Sequence, residues 1–190
     1  MVNGYIWLSM RHFLTDAYRN NIYMGQQQYP ICNTDIKTNG YLEDLRTCVI
    51  YASPLKRSSQ TVEFLIKKFP DTKFEISYLD GLKERGLGNF EGKPKEQIRC
   101  NADYFIEKKF IVTKTPPNGE SFCDFRDRVE KAVKIIFDKS FSNNILVVSH
   151  LQTLRMIRFC VNNIHNYDTW HNVNYSHGEV VKEDYGEKQK

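Results

Sequence analysis

Apolar and polar positions along the chain change period several times, and each change marks an element. Residues 5–10 mix aromatic and branched side chains and end against Arg11-His12, a buried strand feeding a polar loop. Residues 48–52 form a second apolar run that enters Ser53-Pro54, where Ser suits a helix cap and Pro its first turn. Leu55, Val62, Phe64, Leu65, Ile66 and Phe69 then fall at helical spacing with Glu63, Lys67 and Lys68 free to face water, which predicts a helix over 55–69, ended by Pro70. A third strand is expected over 74–79, and a loop over 80–92, where Gly86, Gly88 and Gly92 disfavour a long helix. Apolar residues at 122, 125, 129, 132, 133, 136 and 137 predict an amphipathic helix. Residues 144–148, apolar in their interior, read as a strand ending at Ser149-His150, with a further helix over 152–161.

Strands alternating with helices imply an α/β fold, a three-layer α/β/α sandwich with a mainly parallel central sheet covered on both faces. The 190 residues fit one domain, at most with a small cap, assigned to 1–181; the polar stretch 182–190 reads as a frayed tail.

Composition narrows the function classes. Hydrophobic residues at 41% and charged residues at 26% are ordinary for a globular protein, and no segment approaches the apolar length of a spanning helix, so a membrane protein is not expected. The first residues lack the pattern of a secretory signal because Arg11 and His12 interrupt the apolar run, which points to a cytoplasmic protein. Cys32, Cys48, Cys100, Cys123 and Cys160 are odd in number and widely spaced, as free thiols in a reducing compartment would be. The net charge of +4 is too small to argue for nucleic acid, and the aromatic residues fall mostly on periodic core faces.

In parallel sheets ligands bind beyond the carboxyl ends of the strands, and His12 and His150 sit there. Arg57 opens the helix after the second strand, Glu84 lies in the loop after the third, and Arg11 precedes His12. Arginine presents paired donors to phosphate oxygens and stays protonated, so Arg11 and Arg57 suit a phosphoryl group. A neutral His12 can attack phosphorus while its other ring nitrogen donates to a backbone carbonyl; His150 would stabilise the transferring oxygens. Glu84 is the carboxylate placed to protonate a leaving alkoxide. Thr15, Phe13, Tyr18 and Leu151 are candidate substrate contacts. His165, His171 and His177 lack metal spacing and read as surface or partly buried histidines.

At these residues the chain resembles the histidine phosphatase superfamily, which includes cofactor-dependent phosphoglycerate mutase. Arg11-His12 with Thr15 is similar to the start of the family's Arg-His-Gly-x-Thr signature, and Ser53-Pro54-Leu55-Lys56-Arg57 with Gln60-Thr61 to its Ser-Pro-Leu-x-Arg-x-x-Gln-Thr segment. Leu82-Lys83-Glu84, Phe90-Glu91-Gly92, Gly119-Glu120-Ser121 with Arg126 or Arg128, and the run 145–150 with Arg155 follow in the family's order. The resemblance implies a phosphoglycerate mutase-like fold, a phosphohistidine on His12, Arg11, Arg57 and His150 around the phosphoryl group, Glu84 as proton donor, and no metal or cofactor. Departures fall at Phe13 and Leu151, where the family has glycine, and at Tyr18 and Met24, where many members have Asn and Gln.

Mutases of this family are longer and carry segments that cover the cleft, so hydrolysis of a phosphorylated small molecule is expected here, by a monomer or homodimer. Phosphoglycerate mutase-like transfer and a phospho-ligand or partner-binding module are the alternatives; Phe13 and Leu151 motivate the last.

Overall fold

A computed structural model describes residues 5–140 and 143–184. In chain order the elements are β1 (Trp7–Arg11), α1 (Asp16–Arg19), β2 (Thr47–Ala52), α2 (Lys56–Lys68), β3 (Lys73–Tyr78), α3 (Lys95–Arg99), β4 (Phe105–Ile106), β5 (Lys109–Phe110), α4 (Phe122–Ser140), β6 (Ile145–Ser149), α5 (Leu151–Val161) and β7 (Val180–Glu183). The main sheet runs β3-β2-β6-β1-β7. Pairings β2·β3, β2·β6 and β1·β6 are parallel, and only the edge strand β7 is antiparallel.

Alternation along the strands builds two cores. Leu8, Met10, Ile50, Leu146 and Val148 face α2 and its Val62 and Leu65. Trp7, Val49, Tyr51, Ile145 and Val147 face the opposite way, against Phe125, Val129 and Ile136 of α4 and Leu154 and Ile157 of α5. All five residues of the central strand β6 are buried. At about 1.5–3 kcal/mol for each fully buried Val, Leu or Ile, β6 anchors the strand end that carries His150. The result is the expected three-layer α/β/α sandwich.

Element ends differ from the sequence pattern for local reasons. Leu55 caps α2 instead of joining it, its N–H donating to the Ser53 hydroxyl at 3.2 Å. α4 extends to Ser140, and α5 begins directly after His150, which takes the cap position. β7 takes Lys182 and Glu183 out of the stretch expected to fray: pairing with β1 orders them, and buried Glu183 accepts a hydrogen bond from the Tyr175 hydroxyl at 2.7 Å. Asp184 follows the strand, and 185–190 lie outside the described residues. In the loop 80–92, Asp80–Leu82 and Gly88–Phe90 each form one 3-10 turn.

A satellite cluster of Leu87, Phe90, Ile98 and Phe105, with Tyr104 and Phe110 packed on it, forms a small cap. Its hairpin, β4 to β5, turns through Glu107 and Lys108, both left-handed at φ 49 and 63. Two-residue hairpin turns of this kind favour Asn-Gly; side chains such as these cost about 1–3 kcal/mol per strained residue.

Candidate active site

Each predicted chemical side chain arrives at the C-terminal edge of the sheet by its own route. His12 follows β1 and its backbone N–H donates to Ser149 O at 3.0 Å, tying it to the end of β6. His150 follows β6, Arg57 lies in the first turn of α2, and Glu84 lies in the loop after β3. The His12 and His150 ring centres are 5.1 Å apart.

His12 Nδ1 lies 2.6 Å from the Phe13 carbonyl. A carbonyl only accepts, so Nδ1 carries the proton and Nε2 keeps its lone pair. Burial, then the Arg57 and Arg11 charges, hold the His12 pKa well below the usual 6.5, so the ring is neutral at neutral pH. Arg57 Nε–H donates to both His12 Nε2 and His150 Nδ1, at 3.2 Å each. His150 therefore carries its proton on Nε2 and donates to the Ser53 hydroxyl at 2.8 Å. Burial and Arg57 depress its pKa in the same way.

The Arg57 terminal nitrogens donate to the carbonyls of Gln27 at 2.8 Å and Gly25 at 2.7 Å, and each keeps a further N–H for an anion. Gly25 is left-handed at φ 47, and a Cβ there would lie 2.0 Å from Glu91 Oε1. Glycine is what lets this loop bring its carbonyl to the guanidinium. The same Glu91 oxygen accepts from the backbone N–H groups of Gln26 and Leu87, which explains the Phe90-Glu91-Gly92 signal.

Arg11 is buried, donates through Nη1 to Tyr175 O at 3.3 Å, and packs 5.1 Å from the centre of the Tyr18 ring. Its Nε is buried with no hydrogen-bond partner. Such a group costs about 1–3 kcal/mol or more, which a bound anion would offset. Burial brings both Arg11 and Arg57 down to about 10, still cationic at neutral pH.

The Glu84 carboxylate accepts from Arg85 N–H at 3.0 Å and, more weakly, from Gln152 N–H and the Thr153 hydroxyl at 3.4 Å, at the start of α5. Arg128 holds this loop by donating to the carbonyls of Gly81, Lys83 and Glu84 while pairing with Glu120. Of the two arginines left open by the sequence, Arg128 is the one that supports the site; Arg126 turns to His165 instead.

A cleft of about 310 Å³ opens over these groups, lined by Arg11, His12, Arg57 and Glu84 and also by Tyr18 and Leu151. Phe13 and Thr15 are corrected. The Phe13 side chain is fully buried in the core on the α2 face, edge-on to Phe64 with ring centres 5.1 Å apart, because an aromatic ring gains more there than in a polar cleft. Its backbone N–H donates to Thr61 Oγ1, whose hydroxyl donates to Arg57 O, so Thr61 couples the His12 loop to the Arg57 helix. Thr15 is buried as the cap of α1, accepting from Tyr18 N–H at 3.2 Å.

Sequence reasoning missed His177. Its ring centre lies 5.3 Å from that of His12 and 4.3 Å from that of Tyr18, and burial with the nearby Arg11 and Lys95 charges pushes it down to about 3. No local period marks it; it arrives because Gly178 N–H donates to Arg11 O beside the end of β1. His171 lines the cleft, whereas His165 is exposed. Among the described residues no group of three or more His, Cys, Asp or Glu side chains is placed to share a metal ion, and no helix is long and apolar enough to cross a membrane.

A mainly parallel α/β sheet presents a neutral histidine among buried guanidinium groups at its C-terminal edge, an arrangement suited to an anion. The chain belongs to the histidine phosphatase superfamily (branch 1), whose family model matches residues 7–190. It is 24% identical over 176 residues to PhoE of Bacillus subtilis, described as an uncharacterized phosphatase, covering 82% of this chain and 85% of that one. It is 29% identical over 136 residues to fructose-2,6-bisphosphatase TIGAR B of Danio rerio, covering 68% of this chain. The match spans only 52% of that relative's length. In structure it is similar to YhfR of Bacillus stearothermophilus, with TM-score 0.75, 23% identity and coverage of 96% and 93%.

Proposed function

We propose that this chain is a phosphomonoesterase that hydrolyses a phosphorylated small molecule through a phosphohistidine on His12. The observation that carries the reading is the His12 ring: neutral, with Nδ1 fixed on the Phe13 carbonyl and the Nε2 lone pair turned to Arg57. The named phosphatases among its relatives support the same class of reaction.

Arg57 Nε–H sits on the His12 lone pair, the place that phosphorus takes when an ester binds. His12 Nε2 attacks phosphorus, the ester P–O bond breaks, and Glu84 gives a proton to the departing alkoxide. Arg11 and Arg57 stabilise charge on the transferring oxygens, and His150 joins them when its Nε2–H turns from the Ser53 hydroxyl. Water then attacks the phosphohistidine while Glu84 takes its proton, and release of inorganic phosphate restores neutral His12. Chemistry of this kind needs no metal or cofactor. The free thiols, with Cys48 pushed up to about 12 and Cys160 to about 11 by burial, fit a protein of the reducing cytoplasm.

The test is phosphate release from a panel of phosphomonoesters in the presence of a chelator, with wild type and His12→Asn. Wild type turns over and His12→Asn loses about 1,000-fold or more. Undiminished turnover by the variant would remove His12 from the mechanism. Phosphoglycerate mutase-like transfer is the second reading, favoured by the cap that borders the cleft; it is recognised by phosphoryl transfer to an added alcohol with little free phosphate.

A further inference from the structure

The cleft holds more positive charge than one phosphoryl group requires. Seven arginine or lysine side chains line it against a single carboxylate, Glu84. Arg11, Arg57 and Arg155 all interact electrostatically with Glu84. The other four, Lys95, Arg99, Lys108 and Lys109, come from α3 and the β4–β5 hairpin. None of these four pairs with a carboxylate among the described residues.

Three features separate this wall from a merely solvated surface. Lys95 is half-buried with its ammonium 4.5 Å from the centre of the Tyr18 ring, the ring that Arg11 also packs against. Burial, then Arg99 and Arg11, pull its pKa down to about 8, the mark of a cation lacking a counter-charge. Lys108 occupies a left-handed turn position at φ 63, where glycine would be unstrained. A strained lysine at a cleft is a reason to look for a function. Arg99 Nε–H donates to the hydroxyl of Tyr23, another cleft residue, which fixes α3 against the opening.

We propose that Lys95, Arg99, Lys108 and Lys109 form a second anion subsite, and that the substrate carries a further phosphate or carboxylate on its leaving-group side. This deepens the phosphomonoesterase reading and rests on it. The phosphoryl group to be cleaved meets Arg11, Arg57 and His12, while the second anion supplies the charge that Lys95 and the hairpin lack.

Two matched pairs of esters test the subsite: fructose 1,6-bisphosphate against fructose 6-phosphate, and 3-phosphoglycerate against glycerol 3-phosphate. The wild type should favour the doubly anionic member of at least one pair by about tenfold or more in kcat/KM, and less so at high salt. The pair that shows the preference identifies the second anion as phosphate or carboxylate. Lys95→Met and the double variant Lys108→Gly/Lys109→Ser should shrink that preference toward one. Calorimetric binding of the same four compounds to His12→Ala, with and without the lysine substitutions, reads the subsite without turnover. Failure of all four esters and of p-nitrophenyl phosphate to release phosphate would count against the phosphatase reading, with binding still deciding the subsite. No preference in either pair by kinetics and binding, or variant losses equal for both members, overturns the proposal.

Discussion

At the scale of single residues, the site divides its work by hydrogen-bond valence. In the proposed reaction His12 suits the nucleophile's part because its Nδ1 proton is occupied by a carbonyl, and His150 is a donor, here to the Ser53 hydroxyl, because Arg57 takes its Nδ1 lone pair. Glu84, to which the proposed reaction gives the acid-base part, is held by backbone N–H donors and by the loop that Arg128 fixes. Glu84→Gln keeps the shape and removes the transferable proton. We expect it to lower kcat about 100- to 10,000-fold on alkyl phosphates and much less on p-nitrophenyl phosphate, whose leaving group needs little protonation. Equal losses on both esters would assign Glu84 to binding instead. His12, Arg57 and His150 stood out because they sit at the ends of periodic strands or open the helix that follows, and Glu84 because it is a carboxylate in the loop after the third strand. Phe13 was misread because a sequence shows that a bulky residue replaces glycine, but not which way its side chain turns; here it turns into the core.

At the scale of elements, the strongly patterned segments were legible to within a few residues: α2, α4 and α5 each bury a face that repeats at the period of a helix, β1, β2 and β6 are almost wholly buried apolar runs, and the edge strand β3 is half-buried at Phe74. The missed elements are short or depend on distant partners. β7 spans four residues and owes its order to pairing with β1, and β4 and β5 have two residues each, too few to display a period. His177 and the cap lysines were missed for the same reason, since only tertiary contacts bring His177 beside His12 and the lysines to the cleft. The β4–β5 turn makes its own prediction. Glu107→Asn/Lys108→Gly should raise stability by up to about 1 kcal/mol in urea denaturation, because the replacements accept left-handed backbone. A loss of stability would mean that Glu107 and Lys108 make contacts worth more than the strain.

At the scale of the whole molecule, a pocket that keeps two histidines neutral among guanidinium groups links stability to pH. The pKa values of His12 and His150 are depressed in the folded chain, so below about pH 6.5 the unfolded chain binds protons that the native one refuses. Their neutral forms cost nothing in this respect above that pH, and stability falls as pH drops through it. The slope approaches about 1.4 kcal/mol per pH unit for each histidine. Urea denaturation at pH 7.5, 6.5 and 5.5 should show the decline, reduced in His12→Asn; a flat profile, or a His12 ring titrating near pH 6.5, would contradict the burial argument. Vanadate, bound in place of the phosphoryl group, should raise stability at each pH.

The account stands on a covalent bond from His12 to phosphorus, and trapping that bond is its most direct measurement. Wild-type protein mixed with a turned-over ester should be quenched in alkali, where phosphohistidine survives, then digested and analysed by mass spectrometry alongside His12→Asn. One phosphoryl group on the peptide containing His12, lost on mild acid treatment and absent from the variant, is the result predicted here. A phosphoryl group on another residue, or turnover with no trapped intermediate and undiminished activity in His12→Asn, would contradict it.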